Sequence, residues 1–189
     1  GARIADEAGV PVFLYEQSAR TPDRQNLVKI RKGQFEGMAE KVQEPEWEPD
    51  FGGRKIHPTA GVMAVGARPP LIAYNLNLDT DDVNIAKRIA ESIRERNGGL
   101  DCVKAMGFMI DDDKTGKHYA QVSINMTNYE VTPLHRVTEL VKAEARRWGV
   151  RVVQTEVIGL CPMKALIDGA EYYLQIKDFD YHTQVLENH

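Results

Sequence analysis

The sequence predicts an α/β protein of the α+β kind: a small mixed unit followed by a larger antiparallel one. Three observations carry this reading. From residue 71 onward, stretches of period two and stretches of helical period follow one another as β-α-β-β-α-β. Before residue 50, one apolar strand is followed by short helical segments and an acidic, proline-rich loop. Between the halves lies "DFGGRKIHPTAGVMAVGAR" (50–68), rich in glycine and in basic side chains. That composition suits either a hinge or a loop that holds an anion.

The chain opens inside a helical pattern, with Ile4 and Ala8 on one face and Gly9 as a stop. An opening on the last turns of a helix reads as a chain whose upstream part is missing. Val10–Glu16 is the first strand. "QSARTPDRQ" is a polar turn, "QNLVKIRKG" (25–33) a short helix ending at Gly33, and "FEGMAEKVQ" (35–43) a second one. "EPEWEPDFGG" is a loop, and "VMAVGAR" is expected to be the passage between the units.

In "LIAYNLNL" (71–78), Ile72, Tyr74, Leu76 and Leu78 point one way and Ala73, Asn75 and Asn77 the other. Asp79 or Thr80 then caps a helix, with Asp81 and Asp82 in its positive first turn. Val83, Ala86, Ala90 and Ile93 form its apolar face, and Gly98-Gly99 ends it. "VKAMGFMI" (103–110) and "HYAQVSINMT" (118–127) are strands of a hairpin whose turn is "DDDKTG" (111–116). Pro133 takes the first position of the next helix, Leu134, Val137, Val141, Ala145 and Trp148 form its apolar face, and Gly149 stops it. "VRVVQTEVIGL" (150–160) is the fourth strand of this unit, and Pro162 opens a helix to about Ile176. The order is that of the ferredoxin-like split βαβ fold, with the first and third strands central and both helices on one face of the sheet. The other face then carries Asn75 and Asn77 beside Tyr119, Gln121, Ser123 and Asn125. It is either a solvated surface or the wall of a ligand or domain contact.

The 189 residues suffice for one good core or two small ones, and the net charge of −4 disfavours nucleic acid as a partner. No apolar run approaches the roughly 18 residues of a spanning helix, and no signal peptide opens the chain. Cys102 and Cys161 lack any metal-ligand spacing, so two buried thiols are expected and no metal. "GGRKIHPTAG" is neither a P-loop nor a dinucleotide fingerprint. His57 within it can serve as acid, base or donor; His135 reads as a helix-rim residue, and His118, His182 and His189 have no evident partners. Arg20, Arg24 and Arg31 flank the first strand and helix, suited to holding a carboxylate or simply lying on the surface.

The stretches "GVPVFLYEQSART", "IRKGQFEGM", "EWEPDFGG", "GARPPLIAYNLNL", "QVSINMTNYEVTPLH" and "VIGLCPMKAL" together, in this order, give a resemblance over nearly the whole chain. The chain resembles the formiminotransferase domain of glutamate formimidoyltransferase and of formiminotransferase-cyclodeaminase. The resemblance implies two ferredoxin-like α/β subdomains with folate between them. It implies transfer of a formimidoyl group from N-formimino-L-glutamate to N5 of tetrahydrofolate, a co-substrate. Residues 1–66 then match the C-terminal portion of the N-subdomain and residues 67–189 the C-subdomain. The family's folate-binding segment falls on Gly52, Gly53, Arg54, Lys55, Ile56, His57, Pro58, Thr59, Ala60 and Gly61. Arg54, Lys55 and His57 make it more charged than that family leads one to expect.

By the same resemblance the catalytic histidine belongs to a segment N-terminal to this chain, so no catalytic residue is assigned and the chain is expected to be partial. A cytoplasmic protein is implied, without membrane or nucleic-acid partners, which self-associates or associates with the missing N-terminal portion. The competing readings are a non-catalytic folate-binding or regulatory relative and, disfavoured by charge, a ferredoxin-like nucleic-acid binder.

Overall fold

The computed structural model describes residues 1–112 and 116–189. The chain divides into two compact units, Gly1–Arg68 and Pro69–His189. In the first, α1 (Ala2–Ala8) ends at Gly9, whose φ of 62° is left-handed. Then follow β1 (Val12–Glu16), α2 (Leu27–Arg31), α3 (Gln34–Lys41) and β2 (Met63–Ala67). β1 and β2 pair in parallel, Val12 opposite Met63 through Glu16 opposite Ala67. Parallel neighbours need a long crossover, and α2 and α3 lie in it. "VMAVGAR" is therefore a strand rather than a passage between units. Its glycine suggested a hinge, but β1 supplies hydrogen-bond partners along its whole length.

Phe13, Ile30, Met38 and Val42 are the core of this unit, with Trp47 edge-on to Phe13 at 6.4 Å. Asn26 caps α2 through a bond from the Val28 N–H. Lys41 closes its other end: Nζ donates to the carbonyls of Lys29, Ile30 and Lys32 at 2.5, 2.8 and 3.2 Å. A cation there satisfies carbonyls that the helix leaves unpaired. Desolvation holds the Lys41 ammonium below its ordinary pKa.

The second unit contains β3 (Ile72–Leu78), α4 (Val83–Ile93), β4 (Val103–Asp112), β5 (Lys117–Met126), α5 (Leu134–Arg147), β6 (Val152–Ile158), α6 (Met163–Leu174) and α7 (Tyr181–Gln184). The sheet order β4-β5-β3-β6 is antiparallel throughout, the ferredoxin-like arrangement that the element order predicts. Ile72, Leu76, Val122 and Ile124 from the central strands pack with Ile89 and Ile93 of α4 and Val137 and Val141 of α5. Tyr74 and Thr138 join their hydroxyls at 2.8 Å inside that core.

Several local expectations change. The α4 cap is Asp82, which accepts from the Asn84 N–H. Asp79 instead bonds the backbone N–H and Nε of Arg151, at 2.5 and 2.9 Å, and fixes the β3–β6 end beyond a register shift at Asn77/Leu78. Pro133 stands one residue before α5, as its cap, with ψ 155°. Trp148 lies 45% exposed under the Arg88 guanidinium instead of in the core, because the helix has ended by then. Of the turn expected at 111–116, Asp111 and Asp112 belong instead to β4, paired with His118 and Lys117 of β5, and residues 113–115 lie outside the described residues. Both cysteines are half-buried rather than buried, and burial raises the Cys161 thiol's pKa.

Candidate functional site

The sequence-predicted loop folds in two parts. Its end is a tight turn in which His57 and Gly61 exchange backbone hydrogen bonds at 2.8 and 2.9 Å. The His57 ring folds back over that turn: Nδ1 accepts from the Ala60 N–H at 3.0 Å and the Thr59 N–H at 3.3 Å. Accepting at Nδ1 leaves Nε2 as the N–H of the neutral ring. Gly61 is required here. Its φ is +67°, and a Cβ would come within 2.9 Å of the Phe35 ring.

The first part is open. Gly52 and Gly53 have φ of 85° and 72°. Among the described residues, the N–H groups of Gly52, Gly53, Arg54, Lys55 and Ile56 find no acceptor within the chain. Consecutive unfilled amides on a glycine-bearing loop can bind an anion. The basic side chains divide. Arg54 is spent on the fold: it donates to the Gln43 carbonyl and to Glu48, each at 2.9 Å. Its hydrogen bond and charge hold the Glu48 carboxyl below its ordinary pKa. Lys55 has no ion-pair partner among the described residues.

Two of the flanking arginines also have inward tasks. Arg24 is buried, donates to the carbonyls of Glu46 and Glu48 at 2.8 and 2.7 Å, and pairs with Asp50 at 3.2 Å. Asp50 also accepts from the Leu14 N–H at 2.7 Å and meets Arg20 at 3.4 Å. The carboxylate these arginines hold is thus the chain's own, and it anchors the segment entering Gly52 to β1 through Leu14. Arg31, without an ion pair among the described residues, instead lines an open groove of about 730 Å3 with Val28, Phe35, Ala60, Gly61 and Val62. The groove brings the end of the loop beside the α2–α3 turn, a juxtaposition that chain order conceals.

On the second unit, the sheet face opposite the helices carries the expected amides and hydroxyl. Asn75 is opposite Ser123, and Ala73 opposite Asn125. Sequence reasoning missed Glu156 of β6 on this face, to which Asn77 and Gln121 donate at 3.1 and 3.3 Å. The alternation of "VVQTEVI" set beside β3 is the signal that finds it, once the register is known. His135 stacks on Tyr172 at 4.3 Å with its Nδ1 buried and unpartnered. His118 is not partnerless: its Nδ1 meets Asp111 at 2.5 Å. His189 bonds the Thr183 carbonyl at 3.3 Å, and His182 meets the Tyr181 ring edge-on. Among the described residues, no three His, Cys, Asp or Glu side chains gather as metal ligands, and no helix is long and apolar enough to cross a membrane.

Residues 1–68 match the family described as "Formiminotransferase domain, N-terminal subdomain", and residues 73–186 the family described as "Formiminotransferase domain". The chain is 62% identical over 187 residues to the glutamate formimidoyltransferase of Streptococcus pyogenes serotype M1, covering 99% of this chain and 61% of that protein. Identity to the glutamate formimidoyltransferase of Thermoplasma acidophilum is 46% over 182 residues, covering 95% and 58%. For the formimidoyltransferase-cyclodeaminase of Mus musculus it is 41% over 179 residues, covering 92% and 32%. The chain thus spans about 60% of the length of the first two relatives. With family matches running over both units of the structure, the chain belongs to the formiminotransferase family.

Proposed function

We propose that this protein works in transfer of a formimidoyl group from N-formimino-L-glutamate to tetrahydrofolate, giving 5-formiminotetrahydrofolate and L-glutamate. The step belongs to histidine degradation and one-carbon metabolism, and a cytoplasmic location suits it. In this reading residues 1–66 are part of the N-subdomain and 67–189 the C-subdomain. The observation that carries it is the run of unfilled amides from Gly52 to Ile56, in the segment where the resemblance puts folate. Both substrates are polycarboxylates, and amides with Lys55 and Arg31 nearby suit carboxylates.

The chemistry asks for a nucleophilic N5, a tetrahedral intermediate and protonation of the departing glutamate nitrogen. This chain's part is to bind and orient, which lowers the barrier by removing translational freedom beforehand. His57 is not placed as the acid, since its Nδ1 is committed to its own turn. Exposed apolar side chains on the second unit, Leu160 at 94% among them, support self-association or association with further chain.

Two measurements test the reading. The protein is titrated with tetrahydrofolate, and product is followed after adding formimino-glutamate. Lys55→Ala and Arg31→Ala should each weaken folate binding about three- to tenfold, the size of one charge-assisted bond near a surface. Asn75→Ala and Asn125→Ala should weaken it about two- to tenfold with the fold intact. Folate binding without any product favours the non-catalytic relative; no folate binding removes the proposal.

A further inference from the structure

β6 is an edge of the second unit's sheet. It pairs with β3, and among the described residues no strand pairs with its outer side. The ladder tells which backbone groups this leaves open. In an antiparallel strand the N–H and C=O of one residue leave on the same side, and successive residues alternate. The Asp79 N–H donates to the Arg151 carbonyl, on the β6 side of β3. The Thr127 N–H donates to the Cys102 carbonyl, on the β4 side of β5, which sets the same alternation from the other edge. Ala73 and Asn75 of β3 therefore face β6, and their partners Ile158 and Glu156 turn their backbone inward. Thr155 and Val157 then turn theirs away from the sheet.

Edge strands are commonly blunted by lysine or proline. The other edge, β4, carries Lys104 and Asp111. β6 has neither lysine nor proline and is rich in β-branched residues, the best strand formers. Its side chains Val153, Val157 and Ile158 are 59%, 38% and 55% exposed. The register shift opposite Asn77/Leu78 lies at Val152–Val153, so the regular edge begins there.

The sequence of the edge points to its occupant. "VQTEV" (153–157) reads the same in both directions except that glutamine and glutamate exchange places. Laid antiparallel on a second copy about Thr155, it sets Thr155 opposite Thr155, Val153 opposite Val157 and Gln154 opposite Glu156. Each pair is matched, and the glutamine amide donates to the carboxylate. Moving the two-fold one residue along would set Glu156 against Glu156, a repulsion that the chosen register avoids. Thr155 is an outward position, so this register also brings the open N–H and C=O groups of both strands face to face.

We propose that β6 is the docking edge for a second copy of this chain, joined β6 to β6 about a two-fold at Thr155. The contact is isologous, so it closes at two copies and makes one continuous sheet from two units. The inference rests on the self-association in the function proposed above and names its surface. It is independent of the transfer chemistry, since no small molecule enters the argument.

The test is sedimentation velocity on the full chain at concentrations up to about 1 mM, with circular dichroism as the check on folding. The unaltered protein is expected to pass from monomer to dimer as concentration rises. Thr155→Pro removes an outward N–H and leaves the bonds to β3 in place, so it should be monomeric throughout. Two variants at exposed Gln154 should move the dimer in opposite directions. Gln154→Glu sets glutamate opposite Glu156 twice per dimer and should weaken dimerisation about three- to tenfold; Gln154→Lys should strengthen it by a similar factor, less so in high salt. A monomer at every concentration overturns the proposal. So does a dimer indifferent to these variants, which would use another surface. Should Thr155→Pro fail to fold, the opposed effects at Gln154 still decide. Activity with tetrahydrofolate and formimino-glutamate is measured separately, so that failure of the dimer and failure of the transferase reading are told apart.

Discussion

Arg24 and Asp50 illustrate why residue identity alone misassigns a site. An arginine beside a ligand loop reads as a ligand contact, yet this pair is buried and holds the segment that enters the loop through Leu14, Glu46 and Glu48. Arg24→Ala leaves a buried carboxylate partly uncompensated, so it should cost about 3 kcal/mol of stability, read from urea unfolding. Loss of folate affinity with unchanged stability would instead return Arg24 to the ligand. A pH effect belongs to this scale as well. Bonds from the Arg151 backbone and side chain hold the Asp79 carboxyl below its ordinary value of 3.8. A depressed folded-state pKa contributes stability that is fully present above the unfolded value and is lost as pH falls through the folded one. Melting temperature should therefore fall below about pH 4 more steeply for the unaltered protein than for Asp79→Asn.

At the scale of elements, the pattern located strands and helices because each buries one side. It misread segments where one residue type had two uses. "VMAVGAR" looked like a hinge because of its glycine, and its partner β1 lies far back in the chain. Gly107 carries the opposite lesson. Within a strand it has no turn to make; it lets α4 approach β4 so closely that a Cβ would meet the Lys87 nitrogen at 2.3 Å. The obstacle is backbone, which cannot rotate away. Gly107→Val should cost about 1–3 kcal/mol by overpacking, checked by thermal unfolding, whereas Gly169→Ala in α6 should show no such cost, since among the described residues nothing lies within 4 Å of the position its Cβ takes.

At the scale of the molecule, each unit has its own core. Twenty buried residues surround the sheet of the second, from Ile72 to Ala165. The first buries seven apolar side chains, Ala5, Val10, Val12, Phe13, Ile30, Met38 and Val42, with a two-stranded sheet. Small cores are marginal because they bury a smaller share of their surface. A chain cut between Arg68 and Pro69 should leave residues 69–189 folding cooperatively, with a single transition by circular dichroism. Residues 1–68 alone should unfold at much lower denaturant. Equal stability of the two pieces would contradict this account.

The sequence by itself determined the element order and the ferredoxin-like sheet of the second unit, and the glycine loop, because these follow from local periodicity and from backbone freedom at particular residues. Only the tertiary structure decided how the charges are spent. Arg20 and Arg24 turn to Asp50, Arg54 turns to Glu48 and Gln43, and Lys55 and Arg31 have no ion-pair partner among the described residues. It likewise gathered Asn77, Gln121 and Glu156 from three strands. The physical reason is one of range: periodicity is a property of neighbours in the chain, whereas an ion pair or an amide–carboxylate contact depends on register between strands many residues apart.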